Sequence, residues 1–172
     1  MKSLDVPPIE SYHHDIGLLL AALEDSTNEW KEYLGKPSIE AITWQPVENF
    51  HSIGGLLLHM IECELYWFEN FIAGKRGRKE DKELLKISEI NQMGVNWPKA
   101  PAEPIEWYFD LHQKYRKRSC EHLLNENPER IIARKNYEMS VRWVIAHVVE
   151  HDSYHGGQAV LLHELYKKMG QK

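Results

Sequence analysis

The segment HVVEHDSYHGGQ, residues 147–158, places three histidines four residues apart, a spacing that suits metal binding. On an α-helix, residues i and i+4 are neighbours, so His147, His151 and His155 would lie along one stripe. Two imidazoles at this spacing can each bring one nitrogen to a single metal ion at about 2.0–2.1 Å. The segment therefore indicates metal ligands, although a buried polar seam or a solvated helix face would have the same spacing.

Only one adjacent pair of these histidines can serve the same ion, because about 12 Å of helical rise separates His147 from His155. The residues that follow favour the pair His151 and His155. Residues 156–157 are both glycine. Each glycine costs ~1 kcal/mol relative to alanine inside a helix and is tolerated where a ligand or a neighbouring backbone approaches closely. Gln158 lies three residues from His155 and can share its face.

A third ligand is needed from another helix, because a catalytic metal usually has three protein ligands and an open position. His59, in the apolar stretch IGGLLLHMIECELYWF, is the best candidate. A single histidine in such surroundings is more often a hydrogen-bonded core residue. Three histidines on facing helices, however, would share a desolvated core in which unpaired polar groups are costly, and one metal ion would satisfy all three.

Several further residues are candidates for supporting roles around this site. His147, Glu62 and Gln158 are expected to support the ligands or to contact a substrate, and Glu62 offers an additional carboxylate ligand. Cys63 lies four residues after His59 and could line the same site, but a buried thiol that acts as a small hydrophobe is the more common case. The remaining histidines are predicted on the surface or near helix ends: His13, His14, His51, His112, His122 and His163.

Two better-known metal motifs fit the sequence less well. The string HDSYH resembles the H-E-x-x-H motif of zinc proteases, but Asp152 is shorter than the glutamate that acts as base there, and no obvious third glutamate ligand follows. A di-iron carboxylate bundle needs Glu-x-x-His twice, whereas this chain offers His59-x-x-Glu62 and Asp152-x-x-His155. The sequence also contains no phosphate-binding loop, dinucleotide fingerprint or nucleophile elbow.

Length and composition fit one soluble domain over residues 1–172. A net charge of −5 disfavours a nucleic-acid partner, which would require a basic surface. No apolar run is long enough for a membrane span, and MKSLDVPPIE lacks the positive-then-apolar pattern of a signal peptide. Cys63 and Cys120 fall in predicted helices and are expected to be reduced, so the cytoplasm is the expected location.

Apolar residues recur at helical spacing in four long segments. The first predicted helix has Pro7 and Pro8 in its first turn and ends at Gly35, and the second runs from a cap at Asn49 or Ser52 to about Ala73. The third runs from residues 101–104 to about Asn125. The last runs from Val141, capped by Ser140, to about Met169. A short helix is expected within residues 79–87. No strand pattern is long enough for a sheet, and at most one extended stretch is expected before the last helix.

Four long helices in 172 residues predict an all-α protein folded as a four-helix bundle, with a long connection between helices 2 and 3. That connection is long enough for a crossover topology, and the sequence is equally compatible with simple up-down order. In either arrangement His59 has to face the last helix, because otherwise the proposed set of three histidines cannot form.

Two segments resemble the DinB-like (DinB/YfiT) family of small metal-binding four-helix bundles, and the resemblance covers most of the chain. The W-x-P of residues 44–46 followed by FHSIGGLLLHM is similar to the family's entry into its second helix, and SVRWVIAHVVEHDSYHGGQAVLL is similar to its last helix. The resemblance implies that His59, His151 and His155 hold the metal. Gly156 departs from the family pattern, which often has arginine here, and its lack of a side chain would remove a contact to substrate or partner.

The resemblance implies a metal-dependent enzyme that acts on a small molecule. Characterised members of the wider superfamily include transferases that use thiols such as bacillithiol and a mycothiol-dependent isomerase, and others are described as hydrolases. A divalent ion, zinc or nickel, would activate water or a thiol for attack on a small electrophile. The implied activity is that of a bacillithiol-type thiol S-transferase, with a low-molecular-weight thiol as co-substrate, or of a hydrolase. A homodimer is also implied, with no nucleic-acid or membrane partner.

Two other kinds of protein would carry the same histidines. A non-catalytic metal-binding or stress-response protein would use them for stability or ligand sensing. A purely structural bundle would hold them in hydrogen-bonded pairs. The structural property that separates these cases is whether the imidazole nitrogens of the three histidines converge on one point.

Overall fold

The computed structural model describes residues 5–85 and 96–169, which form a mostly helical protein with one small β-hairpin. The α-helices are α1 (His14–Leu34), α2 (Ile39–Thr43), α3 (Ile53–Glu64), α4 (Lys79–Leu85), α5 (Ile105–Cys120) and α6 (Val141–Met169). A π-helical segment (Leu65–Ile72) continues α3, a 3₁₀ turn (Glu121–Leu123) ends α5, and the hairpin consists of β1 (Ile131–Arg134) and β2 (Tyr137–Ser140). Within these residues, no helix has both the length and the apolar character that crossing a membrane requires.

The first helix begins later than the sequence predicted. α1 starts at His14 rather than at Pro7 and Pro8, because the chain before it folds back over the first turns of the helix. The backbone N–H of Ile9 donates to the carbonyl of Gly17 at 3.2 Å. A Cβ atom on Gly17 would lie 2.5 Å from the carbonyl oxygen of Ile9, so glycine is required at this crossing.

The starts of α3 and α6 agree with the predicted caps. The Ser52 hydroxyl accepts a hydrogen bond from the backbone N–H of Gly55 at 3.1 Å, which satisfies one of the free donors of the first turn. The Ser140 hydroxyl accepts from the backbone N–H of Trp143, also at 3.1 Å. α6 then runs over its whole predicted length, and the π-helical continuation of α3 ends one residue before the predicted end at Ala73.

The other long and short helices agree with the sequence in part. α5 begins directly after Pro104 and ends with its 3₁₀ turn close to the predicted end at Asn125. The short helix expected within residues 79–87 is α4, and residues 86–87 lie outside the described part of the chain. The sequence did not indicate α2, a helix of five residues.

The prediction that no sheet forms was wrong at one place. β1 and β2 pair antiparallel, with Ile131 opposite Ser140 and Ile132 opposite Met139. Each strand has four residues, which is too short for alternation to stand out in the sequence. The pair Ile132 and Met139 points into the core, while Tyr137 remains exposed.

The packing of the helices determines which side chains can meet. α6 packs against α1 on one side and α3 on another, and α3 packs against α5. Apolar side chains fill the space between them, among them Leu57 and Leu162 in one buried cluster and Phe68 and Val144 in a second. The histidines of α3 and α6 are therefore on neighbouring helices, as a shared site requires.

Candidate metal centre between α3 and α6

The structure brings together the three histidines that the sequence indicated as ligands. His59 of α3 and His151 and His155 of α6 each offer one ring nitrogen, and these nitrogens all lie within 4.8 Å of one another. The closest pair is Nε2 of His59 and Nε2 of His151, at 3.1 Å. Four ligands around a metal at about 2.05 Å are about 3.4 Å apart in tetrahedral geometry. The three imidazoles therefore fit one divalent ion with a position left for a further ligand.

His59 has fewer hydrogen-bond partners than a buried structural histidine normally has. Its side chain is buried, and its Nδ1 atom has no hydrogen-bond partner within the described ranges. Its Nε2 atom faces the Nε2 atom of another histidine rather than a carbonyl or a carboxylate. Buried polar atoms retained for stability are nearly always hydrogen-bonded, so the environment of His59 fits a ligand better than a core histidine.

Gln158 determines which nitrogen of His155 is available. Nδ1–H of His155 donates a hydrogen bond to Oε1 of Gln158 at 2.7 Å. The partner holds the proton on Nδ1 and leaves the lone pair of Nε2 free, which is the arrangement usually found for metal-binding histidines. The sequence predicted that Gln158 shares the face of His155, and the structure confirms that contact.

Burial keeps the three imidazoles neutral. Burial, with a smaller contribution from the neighbouring His155, lowers the pKa of His59 to about 4. The same causes lower the pKa of His151 to about 3. Burial also lowers the pKa of His155, against the opposing effect of its hydrogen bond to Gln158. Neutral imidazoles have the free lone pairs that a metal ion requires, and a protonated ring could not coordinate one.

Glycines allow the helices that carry the histidines to pack closely. A Cβ atom on Gly54, a turn before His59, would lie 2.6 Å from the hydroxyl of Tyr108 on α5. A Cβ atom on Gly156 would collide with the ring of Trp30 on α1. Gly156 therefore serves the contact between α1 and α6, and an arginine there would have to displace Trp30. A Cβ atom on Gly157 would have no neighbour within 4 Å among the residues that the structure describes, so close approach does not explain this glycine.

His147 lies one turn before His151 but is not one of the converging residues. Its ring is parallel to that of Trp143, with centroids 5.3 Å apart and an interplanar angle of 2°. Its centroid lies 5.2 Å from that of Trp67, which meets it edge-on, and 6.4 Å from that of His151. His147 therefore lies between the aromatic pair Trp67 and Trp143 on one side and the three histidines on the other.

The carboxylate of Glu62 is not among the converging groups. Glu62 lines a small pocket of about 90 Å³ together with Tyr66 and Asp81. Burial raises its pKa to about 7. A role for Glu62 in contacting substrate stays a prediction. Cys63 is buried and its thiol pKa is raised by burial, which agrees with a small apolar core residue.

Two residues near the site were not found from the sequence. His51 packs against Trp97 with ring centroids 4.3 Å apart, and Trp97 in turn packs edge-on against His59 at 5.4 Å. A positive charge on His51 would lower the pKa of both His59 and His155. The sequence placed His51 near a helix end, where it is, but periodicity gives no information about how the preceding loop folds.

A second buried group lies between α3, α5 and α6. Nε2–H of His112 donates to Glu64 at 2.8 Å, and Arg116 forms ion pairs with both Glu64 and Asp152. Side-chain atoms of Glu64, His112 and Asp152 also lie within 4.8 Å of one another, but the guanidinium of Arg116 already supplies a positive charge to both carboxylates. This arrangement is a buried ion-pair network. The prediction of a surface or helix-end location for His112 was wrong.

The carboxylate of Asp152 is hydrogen-bonded to side chains of α1 and α5. Its Oδ2 atom accepts hydrogen bonds from Thr27 and from the indole N–H of Trp30, both at 2.9 Å and both on α1. The side chain that occupies the base position of the H-E-x-x-H pattern therefore supports helix packing. This position gives no support to a protease-like mechanism.

Comparison with known proteins points to one family. Residues 18–168 match the family described as Mycothiol-S-transferase. The match spans α1 to α6 almost completely and includes all three converging histidines. It confirms the resemblance to DinB-like proteins. No curated protein matches the chain.

Proposed function

Since the chain belongs to the mycothiol-S-transferase family of DinB-like proteins, we propose that it is a metal-dependent transferase that joins a small electrophile to a low-molecular-weight thiol. The observation that carries the proposal is the convergence of three neutral imidazoles from two facing helices. A hydrogen-bonded core would not require this arrangement. The family description, Mycothiol-S-transferase, supports a small thiol as the co-substrate, and bacillithiol is a further candidate of the same class.

His59, His151 and His155 would hold one divalent ion, and zinc and nickel both suit an all-imidazole site. When bound, the ion would supply the Lewis acidity that lowers the pKa of a thiol or water and makes either one nucleophilic at neutral pH. Three protein ligands leave at least one position for such a group.

The protein's own side chains prepare this site. Gln158 fixes the proton of His155 on Nδ1 and so directs Nε2 toward the other two imidazoles. The indole of Trp97 packs edge-on against the ring of His59 and adds an apolar neighbour to the site. Burial keeps the rings of His59 and His151 unprotonated at neutral pH.

The reaction that we propose is a substitution at carbon. The thiol sulfur attacks the electrophilic carbon, and a carbon–sulfur bond forms as the bond from that carbon to its leaving group breaks. The leaving group departs with the electron pair, and the proton of the thiol passes to solvent. Water in place of the thiol would give hydrolysis of the same electrophile, so the hydrolase alternative uses the same residues.

We infer a four-helix bundle from the helix pairings. α6 packs on α1 and α3, and α3 packs on α5, so these helices close around the two buried clusters. A homodimer and a cytoplasmic location are also part of the proposal. The first rests on the family resemblance and the second on two cysteines expected to be reduced.

A conjugation assay tests the proposed function. Protein purified without a histidine tag is given zinc or nickel, then monobromobimane with mycothiol, bacillithiol or glutathione, and the fluorescent thioether is measured. We expect metal-dependent conjugation in the wild type and in His14→Ala, which removes an exposed histidine, and its loss in His155→Ala. If the wild type binds metal but is as inert as His155→Ala with every thiol, the transferase proposal fails, and the hydrolase and the non-catalytic metal binder are the remaining alternatives.

A further inference from the structure

A cavity of about 640 Å³ opens beside the candidate metal centre, next to His147. Its volume lies within the range of about 300–1,000 Å³ that is typical of sites for small molecules. Most of its wall comes from the hairpin, the start of α6 and the π-helical segment. The residues that matter for its chemistry are Trp67, Tyr137, Glu138, Met139, Trp143 and His147.

The aromatic rings of the cavity form two walls at a steep angle. Trp143 and His147 are stacked in parallel, with ring centroids 5.3 Å apart and an interplanar angle of 2°, and this stacked pair forms one wall. Trp67 stands edge-on to both, at interplanar angles of 77° to Trp143 and 78° to His147. A flat ring that stacks on one wall would meet the other at its edge, and both arrangements are favourable for aromatic groups.

Large apolar side chains are exposed around this cavity. Trp143 is 49% exposed, Tyr137 58% and Ile131 55%, although all three belong to well-formed elements. Clustered exposed apolar groups of this kind commonly mark a binding site. A ligand that covered them would bury apolar and aromatic surface that the protein leaves in contact with water.

The charge of the cavity restricts what it can bind. Among the lining side chains in the described part of the chain, Glu138 is the one with a formal charge at neutral pH, and none is a lysine or an arginine. An anionic ligand would meet neither lysine nor arginine among these described residues and would be repelled by Glu138. An uncharged, flat group would meet mainly ring faces and a methionine side chain, so the lining favours a neutral aromatic ligand.

His147 connects this cavity to the three histidines. It lines the cavity, and its ring centroid is 6.4 Å from that of His151. We propose that the cavity binds the electrophilic substrate of the transferase and that this substrate carries a flat, uncharged aromatic group. Trp143 lies about 12 Å of helical rise before His151, with His147 between them on α6, so an elongated substrate whose ring stacks on Trp143 would extend past His147 toward the site where the thiol is activated. The identity of the ligand as a substrate rests on the proposed function, but its binding does not.

Binding can be measured without turnover. The probe is 4-nitrobenzyl alcohol, which is neutral, aromatic and unreactive toward thiols, and calorimetry on the protein as purified gives its Kd. We expect the affinity to fall by about two- to tenfold in Trp143→Ala, the range of one aromatic contact. It should stay unchanged in Tyr33→Ala, which removes an exposed aromatic side chain outside the cavity. The anion 4-nitrobenzoate should bind more weakly than the alcohol.

Tyr137→Ala, on the exposed face of the hairpin, provides a second variant in case Trp143→Ala does not fold. Equal binding by the wild type and both variants would overturn the proposal. A second copy of this chain is the other possible occupant of such a surface, and light scattering measures the oligomeric state. If the probe does not bind and Trp143→Ala changes the oligomeric state, the cavity is an interface between copies of this chain.

A kinetic measurement separates this proposal from the proposed function. With 4-nitrobenzyl bromide as electrophile, Trp143→Ala should raise KM for the bromide and leave KM for the thiol unchanged. If the wild type does not conjugate but still binds 4-nitrobenzyl alcohol through Trp143, the proposed function fails while the aromatic site stands. If conjugation proceeds and Trp143→Ala changes neither Kd nor KM for the aromatic compound, the aromatic site fails alone.

Discussion

Nε2 of His59 and Nε2 of His151 face each other at 3.1 Å, although the two residues are 92 positions apart in the sequence. Two neutral imidazoles in this arrangement can share one proton at most, and Nδ1 of His59 has no partner in the described residues to compensate. A metal ion would accept a lone pair from each ring. Because His151 faces His59 in this way, replacing His151 is the most direct test of the metal site.

Replacing His151 with alanine should abolish stoichiometric metal binding. Two imidazoles would remain, which is fewer than the three ligands typical of a catalytic site. Elemental analysis after dialysis should find about one zinc or nickel per wild-type chain and none in the variant. Added zinc should raise the Tm of the wild type alone, because a ligand that binds only the folded state stabilises it. An equal Tm rise in both proteins would place the metal elsewhere.

Replacing Gln158 with leucine should weaken metal binding without removing it. The variant keeps all three imidazoles but loses the acceptor that holds the proton of His155 on Nδ1. Loss of such a partner typically costs about 10- to 100-fold in metal affinity. Competition with a chromophoric chelator gives the two dissociation constants. Gln113→Leu is the matched control, since Gln113 is exposed on α5, and an identical loss in both variants would contradict the role of Gln158.

The histidine pair and the helix caps could be predicted from sequence because each depends on local spacing. Ser52 and Ser140 lie directly before apolar periodic segments, and the i,i+4 rule places His151 beside His155 whatever the rest of the chain does. His59 could be proposed as the partner because a polar residue in an apolar helix needs a compensating group.

The remaining parts of the site depend on packing between distant segments. Trp97 lies in the irregular segment that precedes α5, and the spacing of apolar residues does not predict that such a segment brings Trp97 against His59. The burial of His112 could not be predicted, because its partner Glu64 lies on another helix, α3. Arg116, one turn further along α5, pairs with the same carboxylate. From the sequence alone, Gly156 suggests a missing substrate contact. Its packing against Trp30 depends on the register between α1 and α6, which the sequence of neither helix specifies by itself.

Replacing Arg116 with methionine should destabilise the protein by about 3–5 kcal/mol, because two buried carboxylates would lose their counter-charge. Arg116 forms ion pairs with Glu64 and Asp152, both almost completely buried. Chemical denaturation gives the free energy of unfolding, with the exposed Arg76→Met as control. Metal content should stay at about one ion per chain. A second ion bound in the folded variant would show that Glu64, His112 and Asp152 form a metal site that Arg116 normally blocks.

The pH dependence of stability should report on Glu64. Burial alone would raise the pKa of this carboxyl, but the charges of Arg116 and His112 lower it from 4.5 to about 2. A carboxyl whose pKa is lower in the folded state adds stability that is fully present above pH 4.5 and is lost as the pH falls toward 2. The contribution is on the order of 3 kcal/mol at neutral pH.

Denaturation of the wild type and Glu64→Gln across this pH range measures that contribution. The difference in unfolding free energy between the two proteins should be largest at pH 6 and should shrink below pH 4.5. A difference that is constant with pH would mean that the carboxyl titrates alike in the folded and unfolded states, and the ion pair would then contribute little.

Alanine at the two adjacent glycines of α6 should have opposite effects on stability. A Cβ atom on Gly156 would collide with the indole of Trp30, which is buried between α1 and α6, and the ring would have to move. Overpacking of this kind typically costs about 1–3 kcal/mol. A Cβ atom on Gly157 would meet nothing within 4 Å in the described ranges, so alanine there should stabilise the helix by up to ~1 kcal/mol. The free energy of unfolding, measured by chemical denaturation, should therefore fall for Gly156→Ala and rise for Gly157→Ala.

A double variant, Gly156→Ala with Trp30→Leu, should lose less stability than the sum of the two single changes, because the smaller side chain makes room for the new methyl group. Strict additivity would show that the indole does not determine the residue at position 156.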